Sequence, residues 1–117
     1  MKTDLTYLKN MSAGNKELVV EMIGIFKTQV EEFVEDMNHL YDTQQYEALG
    51  KLAHKAKSSI SIMGLNDLAT ELKSFENMAK AGIEPEKYPA FIARFREETA
   101  EAVDELEEVS NNIDIYF

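Results

Sequence analysis

The sequence predicts an all-α fold, an antiparallel up-down four-helix bundle with a short extra N-terminal helix. Three observations carry this reading. Apolar residues recur at steps of three and four along almost the whole chain, period-two alternation of β-branched residues is nearly absent, and the apolar stretches are joined by connections of only a few residues. A chain of 117 residues has room for one domain, and 44% apolar content with two prolines and five glycines supplies one core. Residues 1–117 are therefore expected to form a single domain.

Leu5 and Leu8 lie on one side of a short helix over Thr3 to Asn10, closed by Ser12-Ala13-Gly14, after which Asn15 is available as an N-cap. From Asn15 to Leu40, the positions Val19, Met22, Ile23, Phe26, Val30, Phe33, Met37 and Leu40 define one long amphipathic helix. A third helix is expected to start at Asp42, whose carboxylate would accept from the first-turn N–H groups, with Gln45 completing a capping-box pattern. Its apolar stripe is Tyr46, Leu49, Leu52, Ala53, Ala56, Ile60 and Met63, and Gly64 suits the left-handed position that ends a helix. Asn66 is expected to cap a fourth helix bearing Leu68, Leu72, Phe75 and Met78, which Ala81-Gly82 ends. After a turn at Glu84-Pro85, Pro89 fits a first helical turn, where its missing N–H costs nothing. The fifth helix follows, with Ile92, Phe95, Thr99, Ala102, Leu106 and Val109 inward. Only Ile113 to Phe117 has any strand-like composition.

Composition excludes several functions. With 22 acidic and 12 basic residues the formal charge is −10, which repels nucleic-acid phosphates and anionic lipid surfaces. The absence of cysteine excludes disulfides, thiolate metal sites and thiol catalysis. No stretch approaches the ~18 apolar residues of a membrane span and no leader-like apolar run opens the chain, so a cytoplasmic protein is expected. The initiating Met1 favours a free-standing protein over an excised module, and the inward stripes can satisfy one another in a monomer. Glu97, Glu98, Glu101, Asp104, Glu105, Glu107 and Glu108 are read as a solvated helix face that serves solubility. A straight helix does not converge ligands on a metal, and no metal site is expected.

The chain has two histidines. His39 falls near a helix C-terminus, where its charge would suit the helix dipole, and Asp36-x-x-His39 has no second copy to build a di-metal bundle. No glycine-rich phosphate loop, Gly-x-Ser-x-Gly elbow or His-Glu-x-x-His motif occurs. His54 lies opposite the apolar stripe of its helix, at about 100° per residue, together with Glu47, Gly50, Lys51, Lys57, Ser58 and Ser61. Lys51, Lys55 and Lys57 make this face locally basic in an acidic protein. Glycine within a helix costs about 1 kcal/mol relative to alanine, so Gly50 implies a use for the missing side chain, such as close approach of another surface. An exposed neutral imidazole with cations and small neighbours is suited to accept a phosphoryl group. A plain surface histidine fits the same geometry.

The run Ala53-His54-Lys55-Ala56-Lys57-Ser58-Ser59-Ile60-Ser61-Ile62-Met63-Gly64 resembles the signature of histidine-containing phosphotransfer (Hpt) domains. In that signature the acceptor histidine is followed by lysine at plus three, small residues at plus four and five, and glycine at plus ten. Leu65, Leu68, Leu72 and the Phe75-Glu76 pair continue the pattern, while Ser58 stands where glycine is common. The resemblance implies a phosphorelay intermediate. His54 would take a phosphoryl group from the aspartyl phosphate of a response-regulator receiver domain and pass it to another receiver, with a hybrid sensor histidine kinase upstream. Lys57 would stabilise the phosphorylated imidazole, Gly50, Lys51, Lys55, Ser58 and Ser61 would meet the partner, and Gly64 would be structural. The domain would hold no cofactor, the receiver bringing magnesium, and would have no turnover of its own.

Two rival readings remain open at this level. One is a non-catalytic helical adaptor using the same exposed face. The other is a histidine-dependent enzyme, which would need an orienting carboxylate. None stands three or four residues from His54, so it would have to come from another helix.

Overall fold

In the computed structural model, which describes residues 2–117, six helices follow one another. They are α1 (Thr6–Ser12), α2 (Lys16–Asp42), α3 (Tyr46–Ile62), α4 (Asn66–Ala81), α5 (Tyr88–Asn111) and the single-turn α6 (Ile113–Tyr116), with a 3₁₀ turn at Pro85–Lys87 leading into α5. The four long helices close a ring in which α2 packs on α3, α3 on α4, α4 on α5, and α5 back on α2. The short connections 43–45, 63–65 and 82–87 reverse the chain each time, giving the expected all-α up-down bundle with α1 laid against α2. At 1.5 Å per residue, the 27 residues of α2 run for about 40 Å, most of the 46 Å long axis.

The inward stripes meet in one core. Val19, Ile23, Phe26, Val30, Phe33 and Met37 face Leu49, Ala53, Ala56 and Ile60, then Leu68, Leu72 and Phe75, then Ile92, Phe95, Ala102, Leu106 and Val109. Met22, Leu40, Tyr46, Leu52 and Met78 are half-buried at its margin. Thr99 is tolerated inside because its hydroxyl donates to the Phe95 carbonyl at 2.6 Å. Tyr88 is wholly buried, and its hydroxyl donates to the carbonyls of Met78 (2.9 Å) and Ile83 (2.6 Å), tying the start of α5 to the end of α4.

Four expectations are corrected at the element ends. Asp42 closes α2 and does not cap α3. Gln44 takes the left-handed conformation (φ 58°), Gln45 N–H bonds back to Leu40 O at 2.9 Å, and Thr43 Oγ1 donates to His39 O, so the chain is still completing α2 where a cap would be needed. Asn66 is the first residue of α4 and not its cap. Leu65 holds the cap position without a side-chain bond, because its carbonyl already accepts from Ala69 N–H at 2.9 Å. The first helix begins at Thr6 and runs to Ser12, with Ala13 and Gly14 both left-handed at its end and Asn15 Oδ1 accepting from Leu18 N–H as expected. Ile113–Tyr116 is helical and not extended, since no strand among the described residues lies beside it, and Phe117 N–H bonds to Ile113 O at 2.9 Å.

The acidic face of α5 is also more than solvated surface. Glu105 Oε1 accepts from the backbone N–H of Lys2 (2.7 Å) and Thr3 (3.2 Å), and the Lys2 ammonium bridges Glu98 and Glu101. These contacts strap the N-terminal segment across the α3–α4 turn, where Asp4 N–H reaches Met63 O at 3.2 Å. Gly64, at φ 74°, sits directly beneath the strap, and a Cβ there would collide with the backbone of Asp4.

Candidate functional site

His54 stands in the middle of α3 with its side chain 58% exposed, away from the stripe that packs the bundle. The adjacent helix supplies what its own helix lacks. Glu76 of α4 is 4% exposed at its side chain, and its Oε1 lies 3.1 Å from His54 Nδ1. The other oxygen, Oε2, accepts from the Lys80 ammonium at 2.6 Å, and Lys73 Nζ stands 3.7 Å from Oε1. The bond from Lys80 holds the Glu76 carboxyl down to about 2 against an ordinary 4.5, overcoming the opposing effect of burial, with His54 adding to the same direction. Glu76 is therefore a carboxylate at neutral pH and can only accept. The proton of a neutral His54 belongs on Nδ1, and the lone pair of Nε2 points to solvent.

Around this pair the basic face is present. Lys51 and Lys55 are exposed, Lys57 is half-buried one turn beyond His54, and Ser58 and Ser61 are exposed. Lys51 approaches Glu47 at 3.7 Å, whereas Lys55 and Lys57 form no ion pair among the described residues. Ser59 turns sideways, its hydroxyl donating to Gln29 Oε1 of α2 at 3.1 Å. Gly64 lies at the end of α3, outside this face. The other histidine, His39, is exposed in the last turn of α2. No group of three or more histidine, aspartate and glutamate side chains that could hold a metal ion comes together among the described residues.

A family model for the Hpt domain matches residues 21–112, nearly all of the four long helices. The chain belongs to the Hpt domain family. No curated protein and no solved structure gives a significant match. Hpt domains carry phosphoryl groups on a histidine in phosphorelay signalling and interact with receiver domains, so the general function is histidine phosphotransfer by a carrier. The matched span begins within α2, so the N-terminal strap and α1 lie outside the matched residues.

Gly50 requires a correction. Helix spacing assigned it to the open face of the Hpt helix beside His54, but it is buried in the α3–α4 seam. A Cβ there would lie 2.7 Å from Lys80 Cγ, 2.9 Å from Lys80 N and 3.0 Å from Glu76 O. The surface that approaches Gly50 is thus the protein's own fourth helix.

Sequence reading missed Glu76 as the partner of His54, and with it Lys73 and Lys80. A signal was present. Glu76 falls on the inward stripe of α4, four residues after Leu72 and three before Ala79, both buried, where a charged side chain needs a partner. Lys73 and Lys80 stand at the helical spacings that can supply one.

Proposed function

We propose that His54 is the phosphoacceptor of this Hpt domain, taking a phosphoryl group from the aspartyl phosphate of one receiver domain and handing it to another. The observation that carries this reading is the exposed imidazole whose Nδ1 is occupied by a buried, ionised carboxylate, leaving Nε2 as the free nucleophile. The Nε2 lone pair attacks phosphorus in line, the bond from phosphorus to the aspartate oxygen breaks, and that electron pair leaves with the receiver's carboxylate. The ring becomes positive as the nitrogen–phosphorus bond forms. Its Nδ1–H stays on Glu76, whose negative charge stabilises the product without any proton having to move.

In this reading Lys57 offsets the charge of the phosphoryl group on His54, and Lys51 and Lys55 attract an acidic receiver pocket. Ser58 and Ser61 leave room for the partner, which supplies magnesium. An apolar groove of about 220 Å³ bounded by Met22, Ile25, Phe26 and Ile62 opens between α2 and α3 beside this face and offers a docking partner apolar area. A hybrid sensor histidine kinase upstream, a monomeric state and a cytoplasmic setting belong to the same proposal. No helix among the described residues is long and apolar enough to cross a membrane.

The test is incubation with a phosphorylated receiver domain. Acid-labile, alkali-stable label is expected on the wild type and not on His54→Gln. Equal label on both would remove His54 from the role, and no label from any receiver of the source genome would favour a non-catalytic adaptor that binds through the same face.

A further inference from the structure

The carboxylate beneath His54 is itself held in place, by a residue that forms no hydrogen bond with the imidazole. Glu76 has two oxygens in a wall that is almost closed to solvent. Oε1 serves His54, and Lys73 stands near that same oxygen at 3.7 Å, too far for a hydrogen bond. Oε2 is served by Lys80 alone, at 2.6 Å. The route of Lys80 to that oxygen runs over Gly50, since a Cβ at Gly50 would fall 2.7 Å from Lys80 Cγ. A helix-interior glycine, unfavourable in itself, thereby becomes the seat of the lysine stem.

We propose that Lys80 is a positioning residue for His54: seated over Gly50, it holds Oε2 and so orients the Glu76 carboxylate, leaving Oε1 to accept the Nδ1–H hydrogen bond and Nε2 with its outward lone pair. The proposal rests on the phosphoacceptor reading of His54 for its biological use, but the arrangement it describes exists in the unphosphorylated protein. Without the cation on Oε2, a buried carboxylate has two ways to lower its energy, and each spoils the site. It can swing towards Lys73 and solvent, releasing Nδ1, or it can take up a proton and donate to Nδ1, which moves the ring proton to Nε2 and blocks the nucleophile.

The charged groups around the pair are those of α3 (Glu47, Lys51, Lys55, Lys57), those of α4 (Lys73, Glu76, Lys80), and Asp36 and His39 of α2, which share a groove with Lys51 and Lys55. Of these only Lys80 bonds the second oxygen of Glu76.

The experiment is ¹⁵N NMR of the His54 ring in the full chain, with no partner present. At neutral pH the wild type is expected in the Nδ1–H tautomer. Lys80→Met, which removes the charge while keeping an unbranched stem over Gly50 and whose helix content is checked by circular dichroism, is expected to lose that tautomer in favour of the Nε2–H form that free histidine prefers. Lys73→Met is expected to retain the wild-type tautomer, and Lys80→Arg, which keeps a cation on Oε2, should retain it as well. Gly50→Ala is expected to follow Lys80→Met. Phosphoryl uptake from a receiver should fall in proportion to the lost tautomer. An unchanged tautomer in Lys80→Met, or equal loss in Lys80→Arg and Lys80→Met, would overturn the proposal. Failure of the wild type to take up label would instead overturn the phosphoacceptor reading and leave the tautomer result standing.

Discussion

Glu76 and His54 meet across the α3–α4 seam, Oε1 to Nδ1 at 3.1 Å, although 22 positions separate them in the chain. One partner is almost wholly buried and the other more than half exposed. In the proposed reading the pair joins an anchored carboxylate to the phosphoacceptor, and the two ring nitrogens of His54 have different tasks.

Glu76→Gln tests that division of labour. The amide has the same shape, but Lys80 can bond only to its oxygen, so the NH₂ turns to Nδ1 and donates. The ring proton then sits on Nε2. Phosphoryl uptake is expected to fall about a hundredfold, the low end of what is lost with one preorganised electrostatic stabiliser, with the helix content unchanged by circular dichroism. Wild-type uptake in Glu76→Gln would show that the carboxylate does not set the tautomer.

Acid stability should carry the signature of the same carboxylate. Its folded-state value near 2 lies below the ordinary 4.5, so its contribution is complete above pH 4.5 and is lost as the pH falls through 2. Glu98, held low by Lys2, and Asp4, held low by the Thr6 backbone N–H, act in the same direction. Urea midpoints measured from pH 6 to pH 2 should therefore decline for the wild type below about 4.5. The gap between wild type and Glu76→Gln should narrow over that range. A constant gap down to pH 2 would contradict the depressed carboxyl.

Gly64→Ala is expected to destabilise by about 2 to 3 kcal/mol, from the left-handed backbone and from overpacking against the strap. The residue sits at φ 74° directly under Asp4. Trimming the strap by removing residues 2–4 would relieve only the second cost, so the penalty of the alanine should shrink in the trimmed chain. An equal penalty in both would assign the whole effect to the backbone conformation.

Most of the fold was legible because the information is local. Val19 to Met37 repeats at helical spacing without interruption, and Gly64 and Gly82 mark left-handed helix ends that glycine adopts readily. Asp42 and Asn66 misled because a good capping side chain says nothing about whether the preceding helix has finished, and Gln44 ends α2 in a left-handed conformation that composition does not announce. The site divides in the same way. The exposure of His54 follows from its own helix, whereas Glu76, Lys80 and the true environment of Gly50 follow from which helix lies alongside, a long-range fact that periodicity does not contain.

Lys57 gives the last test. It lies one turn beyond His54 on α3, half-buried, and forms no ion pair among the described residues, so no carboxylate already claims its charge. Lysine in this position costs less to remove than Lys80, because nothing buried depends on it. Lys57→Ala should therefore leave the urea midpoint within about 0.5 kcal/mol of wild type, as for a surface substitution away from special features. A phosphoryl group on Nε2 of His54 adds negative charge close to where Lys57 can reach, and Glu76 on the other side of the ring cannot neutralise it. The expected result is a shorter phosphohistidine lifetime or a slower transfer, with the His54 tautomer unchanged. Lys57→Ala and Lys80→Met would then separate two functions, one acting on the product's charge and the other on the nucleophile's proton. Unaltered lifetime and transfer rate in Lys57→Ala would leave the cationic help to Lys51 and Lys55.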